Sequence, residues 1–321
     1  MTHAMVFDAV RTPRGKGKRD GSLHAVKPVD LLGGLLNQLQ ARHDFDTAED
    51  DDVVMGCVSP VGEQGSVIPK TALLKAGWDV RVAGVQINRF CASGLEAVNL
   101  AAQKVASGWE DLVIAGGVES MTRSPFVMGK ADTAFPRSAE IFDTTIGWRF
   151  INPALKAKYG VDTMPETAEN IAEDFGISRA DQDAFAFRTQ QRWAKAQAEQ
   201  FFANELIPVA LPQKKGEPKI FNKDEHPRAD TTLEGLARLK PIVKPTGTVT
   251  AGNASGINDG AGAMILATES AAGKYGLTPK ARVIAGAVAV EVVVYVALGT
   301  TWALALGVLA AMLIAAAIAD D

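Results

Sequence analysis

The sequence predicts an α/β protein, and three observations support this. Short apolar runs alternate along the chain with segments whose apolar residues recur at helical spacing. The apolar runs end at polar or glycine-rich turns, as buried strands do. The same alternation, interrupted by a long irregular stretch, resumes at Val249. Such a pattern is typical of a mostly parallel β-sheet covered by helices.

Each predicted element follows from a local signal. Residues 4–10 form a short apolar run that ends at a glycine-rich turn, which indicates a first strand. Pro28 suits the first position of a helix, and leucines follow it at helical spacing. The later elements of this region are predicted as a strand at 52–58, a helix at 67–76, a strand at 82–88, a helix at 93–106 with Leu95, Val98, Ala102 and Val105 on one face, and a strand at 112–115 closed by Gly116 and Gly117.

The middle of the chain has a different character. Residues 123–165 are irregular, and residues 212–247 are polar and proline-rich, as surface excursions are. Between them, Ser178 is predicted to cap a helix because Asp181 follows three residues later. A long insertion over an α/β core is a frequent place for substrate contacts. The α/β pattern then resumes with a strand at 263–268, a helix at 269–275 and a strand at 281–288.

Composition and charge exclude several classes of protein. The net charge is -4 and no basic block dominates, so nucleic acid is not an expected partner. A short basic stretch at 14–19 is interpreted as a solvated loop. The histidines are scattered and no Cys-x-x-Cys occurs, so no metal site is predicted. The two cysteines, Cys57 and Cys91, do not form a disulfide framework and fit a reducing compartment such as the cytoplasm.

Cys91 is the candidate catalytic nucleophile. It lies between a predicted strand and the start of a predicted helix, where free N–H groups and the helix dipole favour a thiolate. The small residues Ala92, Ser93 and Gly94 leave room for a substrate carbonyl and for backbone N–H groups that hold an oxyanion. A lone cysteine is more often a small buried hydrophobe. From the residues alone both interpretations of Cys91 stay open, whereas Cys57, inside an apolar strand, has the structural one.

Several motifs resemble those of the thiolase family, in the same order along the chain. They are Asn88-x-x-Cys91-x-Ser93-Gly94, Arg11-Thr12-Pro13, and residues 116–121, 164–170 and 252–261. The similarity runs from about residue 6 to residue 289. It implies a thiolase-like layered fold with an N-terminal α/β domain at 1–122 and 248–280, a loop domain at 123–247, and, at 281–321, the start of a truncated C-terminal half followed by an apolar tail at 290–321.

The resemblance also implies a reaction. Thiolases transfer acyl groups between coenzyme A thioesters, by cleaving a 3-ketoacyl-CoA or condensing two acyl-CoA units. Cys91 would carry the acyl group covalently, and coenzyme A thioesters would be the substrates, with no further cofactor. Ser255 and Met164 would line the pantetheine arm, and Arg228 would meet the nucleotide end, where a guanidinium suits adenine and phosphate. Members of the family form dimers or tetramers, so a homo-oligomer is implied.

Plainer interpretations of the three binding residues exist without the family. Ser255 is then a turn residue, Met164 is a core or lid contact, and Arg228 is a solvated loop cation. A non-catalytic relative that binds acyl-CoA or lipid is the corresponding alternative function. Residues 142–148 and the motif at Met164 resemble the branch that acts on 3-oxoadipyl-CoA or acetyl-CoA.

The sequence departs from the family pattern after residue 289. The family's Gly-His-Pro, Cys-x-Gly and Asn-Glu-Ala-Phe motifs do not occur in it. In thiolases that histidine takes the proton of the nucleophilic thiol, and that cysteine is an acid and base. Because nucleophile and base act as a unit, we expect this chain to be impaired in turnover.

Residues 292–319 carry no charged side chain. About 20 apolar residues suffice to span a bilayer as a helix. Three interpretations of this tail stay open: a shifted reading of a gene whose C-terminal half is lost, a membrane anchor, and a helix that covers an exposed face of the core. The second would make the chain a membrane-anchored protein.

Overall fold

The computed structural model describes residues 3–286 of the chain. Its strands are β1 (Met5–Arg11), β2 (Gly15–Lys16), β3 (Asp52–Gly56), β4 (Ala83–Ile87), β5 (Leu112–Ser120), β6 (Phe126–Met128), β7 (Ile141–Asp143), β8 (Val209–Leu211), β9 (Lys219–Phe221), β10 (Asn258–Ala267) and β11 (Ala281–Arg282). Its helices are α1 (Pro28–His43), α2 (Ile68–Ala76), α3 (Ser93–Ala106), α4 (Pro153–Tyr159), α5 (Met164–Asp174), α6 (Arg179–Ala198), α7 (Leu233–Ala237) and α8 (Glu269–Tyr275).

One large mixed sheet forms the centre of the fold, in the strand order β11-β1-β10-β5-β3-β4, with β2 paired to β10. Strand β3 runs parallel to both β4 and β5, whereas β10 runs antiparallel to both β1 and β5. The predicted α/β class is confirmed. The sheet is not mostly parallel, because the long strand β10 returns between β1 and β5. The sequence predicted only the apolar end of β10, since its first half is rich in glycine.

Helix α1 covers one face of the sheet together with α2. It begins with Pro28 in its first turn, as predicted, and ends at Asp44 in the left-handed conformation. Its leucines enter the larger core, where they meet Val53 and Met55 of β3 and Ile114 of β5. The periodic leucines therefore form this helix because they bury one continuous apolar stripe.

Helix α3 covers the opposite face and spans the predicted residues. The side chains on its buried face are small: Ala97, Ala101 and Val105 pack against Val54 and other sheet residues. The predicted inner face was wrong at Leu95, which is 53 % exposed. The buried face is centred on Ala97, Ala101 and Val105, and Leu95 lies outside it.

Strand β5 continues through the glycines that were expected to end it. A Cβ on Gly116 would lie 2.0 Å from the carbonyl oxygen of Gly262 in β10, and one on Gly117 would lie 2.9 Å from the carbonyl oxygen of Gly56 in β3. The glycines therefore allow close backbone packing within the sheet instead of forming a turn.

The segment between β5 and β10 carries short elements on the outside of the sheet. It contains the hairpins β6–β7 and β8–β9 and the helices α4 to α7. The predicted cap is confirmed: the Asp181 N–H donates to the Ser178 hydroxyl at 3.1 Å. The predicted irregular stretch at 123–165 includes one of these hairpins and helix α4. The predicted domain boundaries stay a prediction.

The last described strand, β11, pairs with β1. The predicted strand at 281–288 is therefore observed only at its start, and its end lies outside the described residues. The apolar tail and its three interpretations lie outside them too. Within residues 3–286, no helix has both the length and the apolar character needed to cross a bilayer.

A buried ion network holds the end of this sheet to α1. The carboxylate of Asp8, 1 % exposed, accepts hydrogen bonds from Arg42 at 3.0 Å and His43 at 2.9 Å, and from Lys280. Burial opposes its ionisation, but the hydrogen bonds from Lys280, His43 and Arg42 outweigh burial and lower the pKa of Asp8 to about 2. The carboxylate is therefore a stabilising group when charged.

We expect Asp8→Asn to lower the free energy of unfolding by about 2.5 kcal/mol at pH 7. A lowered carboxyl pKa stabilises the fold above the unfolded-state value and loses that effect as pH falls toward the folded value. The deficit should therefore shrink to roughly half by pH 3. Urea unfolding at both pH values measures it. Asp20→Asn, at an exposed pair with Lys16, is the control and should change little. Equal stability of Asp8→Asn and the wild type at pH 7 would show that the charged Asp8 carboxylate does not stabilise the fold.

Candidate active site

The motifs found in the sequence meet at one edge of the sheet. Strands β3, β4 and β5 are parallel, so their carboxyl ends share that edge. Strand β10 begins there, since Asp259 pairs with Ser120 at the end of β5. Strand β1 ends there, since Arg11 pairs with Gly262. The cysteine motif after β4, the glycine motif of β5 and the loop before β10 therefore border the same region.

A tight turn carries Cys91 from β4 into α3. Phe90 has a left-handed backbone with φ 47°, which is uncommon for a bulky residue. The Asn88 side chain supports this turn: its oxygen accepts from the Phe90 N–H at 2.9 Å, and its nitrogen donates to the Val58 carbonyl at 3.0 Å. Asn88 therefore fixes the turn to the end of β3, a role that the motif alone did not reveal.

Ser93 fixes the other side of the same turn. Its hydroxyl donates to the Phe90 carbonyl at 2.5 Å and accepts from the Arg89 N–H at 2.9 Å. The N–H groups of Ala92 and Ser93 bond to the carbonyls of Arg89 and Phe90. The buried Ser93 thus keeps the strand–turn–helix rigid, while Cys91 between these groups stays exposed.

The start of α3 lies directly on the sheet. A Cβ on Gly56, the last residue of β3, would be 2.4 Å from the carbonyl carbon of Ser93 and 2.7 Å from the Gly94 nitrogen. A Cβ on Gly94 would lie 3.9 Å from the Gly116 carbonyl of β5. The Cys91 turn therefore reaches back from the outer strand β4 over β3 toward β5. The positive end of the helix dipole stands at this exposed cysteine.

Cys57 is the opposite case. It is buried, and burial together with the nearby charge of Glu119 raises the pKa of its thiol to about 12. It stays protonated at neutral pH, so its predicted structural role is confirmed.

Glu119 and Gln64 tie the strand ends below the cysteine turn. The Glu119 carboxylate accepts from the Val58 N–H at 2.7 Å and from the Gln64 amide at 3.1 Å. Gln64 is 1 % exposed and accepts from the Ser120 N–H at 2.6 Å. These bonds link the end of β5 to the segment that follows β3 and hold the two in a fixed relative position.

Ser255 is exposed on the loop before β10. Asn253 closes that loop: its oxygen accepts from the Thr250 N–H at 2.7 Å, and its nitrogen donates to the Thr248 carbonyl at 3.1 Å and to Asp183 of α6 at 3.0 Å. The loop is therefore held against the inserted helices, with the Ser255 side chain facing outward.

Arg228 is exposed on a segment that is anchored to the end of β1. Asp224 accepts two hydrogen bonds from the Arg11 guanidinium, at 2.8 and 3.1 Å, and one from the Arg14 N–H at 2.8 Å. Burial opposes ionisation of Asp224, yet the bonds from Arg11 and Arg14 outweigh it and lower its pKa. Glu225 accepts from the Ser22 hydroxyl at 2.6 Å. These anchors were not predicted from the sequence.

His226 joins the Arg228 segment to the Ser255 loop. A Cβ on Gly256 would lie 2.0 Å from the His226 ring, so the ring packs on the residue next to Ser255. Burial lowers the pKa of His226, and the positive charges of Arg14, Arg228 and Lys18 lower it further. The positive charges of Arg14, Lys18 and Arg228 therefore all act on this histidine. We call Arg14, Lys18 and Arg228 the basic patch. Two of its residues, Arg14 and Lys18, belong to the stretch at 14–19 that was interpreted as a solvated loop, and the third is the predicted ligand residue.

Met164 is the first residue of α5 and is 48 % exposed. Thr163 caps the helix in a capping box with Glu166. Glu169, one turn further, binds the backbone at Thr248, on the segment that leads to Ser255. The structure thus links Met164, Ser255 and Arg228 through neighbouring segments, and Cys91 borders the same edge from the β4 side. Among residues 3–286, no cluster of three or more His, Cys, Asp or Glu side chains is arranged to hold a metal ion.

The structure places an exposed cysteine at a helix start and the basic patch at the same edge of an α/β sheet, an arrangement that suits a nucleophilic thiol and an anionic ligand. Comparison with known proteins identifies the family to which this fold and site belong. The family "Thiolase, N-terminal domain" matches residues 4–270. The chain belongs to the thiolase family.

The similar proteins carry thiolase names. A β-ketoadipyl-CoA thiolase of Acinetobacter baylyi is 53% identical over 286 residues, which cover 89% of this chain and 71% of that protein. A 3-oxoadipyl-CoA/3-oxo-5,6-dehydrosuberyl-CoA thiolase of Escherichia coli is 51% identical over 290 residues, 90% of this chain and 72% of that protein. An acetyl-CoA acetyltransferase of Allochromatium vinosum is 41% identical over 284 residues, which cover 88% of this chain and 70% of that protein.

A solved structure agrees with the sequence relatives. The crystal structure of the Bacillus anthracis acetyl-CoA acetyltransferase matches with a TM-score of 0.79 and 34% identity, over 90% of this chain and 72% of that one. The predicted resemblance, the thiolase-like α/β fold and the class of thiolase-type acyltransferase are confirmed. Acyl-CoA substrates follow from that family.

Proposed function

We propose that this chain transfers acyl groups between coenzyme A thioesters through a thioester on Cys91. In thiolysis, the Cys91 thiolate forms a bond to C3 of a 3-ketoacyl-CoA, and the bond between C2 and C3 breaks. The electron pair leaves with an acetyl-CoA enolate, which takes up a proton. A coenzyme A thiolate then takes the acyl group from Cys91. The observation that carries the proposal is the exposed sulfur at the start of α3.

The backbone N–H of Cys91 is the proposed donor to one oxyanion. The supporting observation is that the neighbouring N–H groups of Ala92 and Ser93 bond within the turn, so their positions are set before a substrate arrives. Preorganised donors at a helix start stabilise developing negative charge most effectively. The reaction needs a free thiol, which suits a reducing compartment such as the cytoplasm. It needs no metal or organic cofactor besides coenzyme A itself.

Coenzyme A is proposed to lie along the Ser255 loop. Ser255 and Met164 would line the pantetheine arm, and Arg228 would meet the nucleotide end. Both lining residues are exposed, and the basic patch offers three positive charges to phosphate groups. Arg228 itself is available for this because its segment is anchored through backbone and neighbouring residues, with its N–H bonded to Gln190 at 2.8 Å.

The proposed acyl substrate is 3-oxoadipyl-CoA. The named relatives of this specificity are 51–53% identical to the chain, whereas the acetyl-CoA acetyltransferase from Allochromatium vinosum is 41% identical. Acetyl-CoA condensation or acetoacetyl-CoA thiolysis is the second candidate, supported by the fold match to the Bacillus anthracis enzyme. Comparing 3-oxoadipyl-CoA with acetoacetyl-CoA as acyl donors to Cys91 separates the two.

We also propose that the chain forms a homo-oligomer through β4. In the described part of the chain this strand pairs with β3 on one side only. Its outer residues Ala83 and Val85 are exposed. An open, apolar edge strand is commonly covered, and a second copy with two-fold symmetry would cover it by strand pairing. Sedimentation equilibrium should give a mass of at least two chains, and a monomer at micromolar concentration would contradict this.

The proposed function is tested by separating acylation from turnover. We expect the 321-residue chain to become labelled by acyl-CoA at Cys91. We expect its steady-state thiolysis of acetoacetyl-CoA to be about 10²–10⁴-fold below that of the Bacillus anthracis enzyme, because general acid–base help of this size is missing from its sequence. Labelling without turnover supports both statements. Rapid turnover that Cys91→Ser abolishes would contradict the impairment, and no labelling at all would favour a non-catalytic acyl-CoA binder.

A further inference from the structure

Glu169 is a buried carboxylate whose partners lie far away in sequence. It is 3 % exposed and lies on α5, about one and a half turns after Met164. Its oxygens accept from the Thr248 N–H at 2.7 and 3.0 Å, from the Val249 N–H at 2.7 Å and from the Thr248 hydroxyl at 3.0 Å. One side chain thus satisfies two backbone donors and one hydroxyl on the segment that leads into the Ser255 loop.

These bonds keep Glu169 charged. Burial raises a carboxyl pKa, but here the backbone N–H groups of Thr248 and Val249 outweigh burial, and the pKa of Glu169 is lowered. Hydrogen bonds to a charged acceptor are stronger and more directional than those to a neutral one. A buried charge is also costly unless its partners are in place. The segment at 248–249 is therefore held in one position relative to α5.

The connection continues to the proposed ligand residue. The Thr248 carbonyl accepts from Asn253, which also bonds to the Thr250 N–H and to Asp183. Ser255 follows two residues later. The loop from Thr248 to Asn253 is thus closed on itself, and Glu169 fixes its first residue. A shift of Glu169 would move Ser255 relative to Met164 at the start of the same helix.

The Glu169 carboxylate is closely packed against the segment that it binds. A Cβ on Gly247 would lie 2.3 Å from a Glu169 carboxylate oxygen. The Thr248 hydroxyl also accepts from Gln182 of α6 at 2.9 Å. The carboxylate therefore sits where three segments meet, all of them in or beside the proposed path of the pantetheine arm, while Cys91 is held by a separate set of bonds from Asn88 and Ser93.

We propose that Glu169 is a positioning residue for coenzyme A: it sets the Ser255 loop against Met164 and thereby determines the affinity for the pantetheine arm without affecting the nucleophile. This inference rests on the proposed function. It assigns a role to the second glutamate of the motif at 164–170, which touches no reacting atom.

The test compares Glu169→Gln with a matched control on the same helix. The amide keeps the size of the side chain but presents an N–H₂ group to backbone donors. Glu173→Gln, whose side chain is 71% exposed and pairs with Lys244, is the control. Calorimetry measures the Kd for coenzyme A, and alkylation by iodoacetamide measures the reactivity of Cys91 without any coenzyme A contact. The second cysteine does not interfere, because Cys57 is buried.

We expect Glu169→Gln to raise the Kd for coenzyme A at least about tenfold, with alkylation of Cys91 within about twofold of wild type and no change in the control. An unchanged Kd would overturn the proposal. A parallel loss of Cys91 reactivity would also overturn it, because that would indicate a general structural role. Absence of coenzyme A binding by the wild type would overturn the proposed function instead, and this inference with it.

A milder variant covers the case in which Glu169→Gln does not fold. Thr248→Val removes the hydroxyl bonds to Glu169 and to Gln182 and keeps the bonds from the Thr248 and Val249 N–H groups to Glu169. It should raise the Kd for coenzyme A about two- to fivefold with Cys91 alkylation unchanged. A Kd equal to that of the wild type would overturn the proposal.

Discussion

Replacement of Cys91 by serine is expected to reduce formation of the acyl-enzyme from labelled acetyl-CoA by at least about 10³-fold. The thiolate is the nucleophile, and a serine hydroxyl is not ionised at neutral pH. The side chain is exposed, so the free energy of unfolding should stay within about 0.5 kcal/mol of wild type. Acid quenching followed by counting of protein-bound label measures the rate.

Cys57→Ala is the matched control for this substitution. The Cys57 thiol is buried and its pKa is raised to about 12, so it should contribute no acyl acceptor. The variant should keep the wild-type rate of labelling at a modest cost in stability, because the removed atom leaves only a small cavity. Retention of label by Cys91→Ser, or loss of label in folded Cys57→Ala, would place the acyl group elsewhere.

Gly56→Ala is expected to affect both the fold and the nucleophile. The new Cβ would lie 2.4 Å from the carbonyl carbon of Ser93 and 2.6 Å from its oxygen, so the start of α3 must move. Forced repacking of this kind costs about 1–3 kcal/mol. Since Cys91 lies two residues before Ser93, the rate of acylation should also fall, by at least about tenfold. Urea unfolding and acyl labelling measure the two effects.

Gly34→Ala separates this clash from a general effect of adding a methyl group. Gly34 lies on the exposed side of α1 with no neighbouring atom within 4 Å of a new Cβ. Alanine is a better helix former, so this variant should be more stable by roughly 0.5–1 kcal/mol and should acylate normally. A Gly56→Ala variant as stable and as active as Gly34→Ala would contradict the close packing of α3 on β3.

The sequence predicted the elements around the nucleophile well because their signals are local. Helix α3 spans the predicted residues, and α1 starts at the predicted proline. The inner face of α3 was mispredicted at Leu95 because small residues recur on more than one side of this helix, so the pattern alone does not show that Ala97 and Ala101 face the sheet. The extent of β5 was mispredicted for a related reason: Gly116 resembles a turn signal, but its partner Gly262 is distant in sequence.

The residues that position the site were harder to find than the site residues themselves. Cys91, Ser255, Met164 and Arg228 were identified by family motifs, and their roles stay predictions. Asn253 and Glu169 stand inside two of those motifs, but their partners are only visible in three dimensions. In the sequence, Asn253 and Glu169 stand out only as polar residues within a glycine-rich motif and a helical motif. That signal does not indicate which backbone groups their side chains bind.

The basic patch illustrates the same limit for charge. Arg14 and Lys18 belong to a short glycine-containing stretch, which in sequence has the character of a solvated loop. Arg228 lies more than two hundred residues later. The Arg11 guanidinium and the Arg14 N–H donate hydrogen bonds to Asp224, and these bonds bring the two segments together. Because the contact joins segments that are distant in sequence, the sequence alone did not predict that Arg14, Lys18 and Arg228 could form a candidate phosphate site.

Peptide mapping by mass spectrometry after brief incubation with acetyl-CoA shows whether Cys91 carries the acyl group. We expect the peptide containing Cys91 to gain the mass of one acetyl group and the peptide containing Cys57 to gain none. We expect added coenzyme A to remove the modification. An acetyl group on any other residue, or no modification in a folded protein that binds coenzyme A, would contradict this role of Cys91.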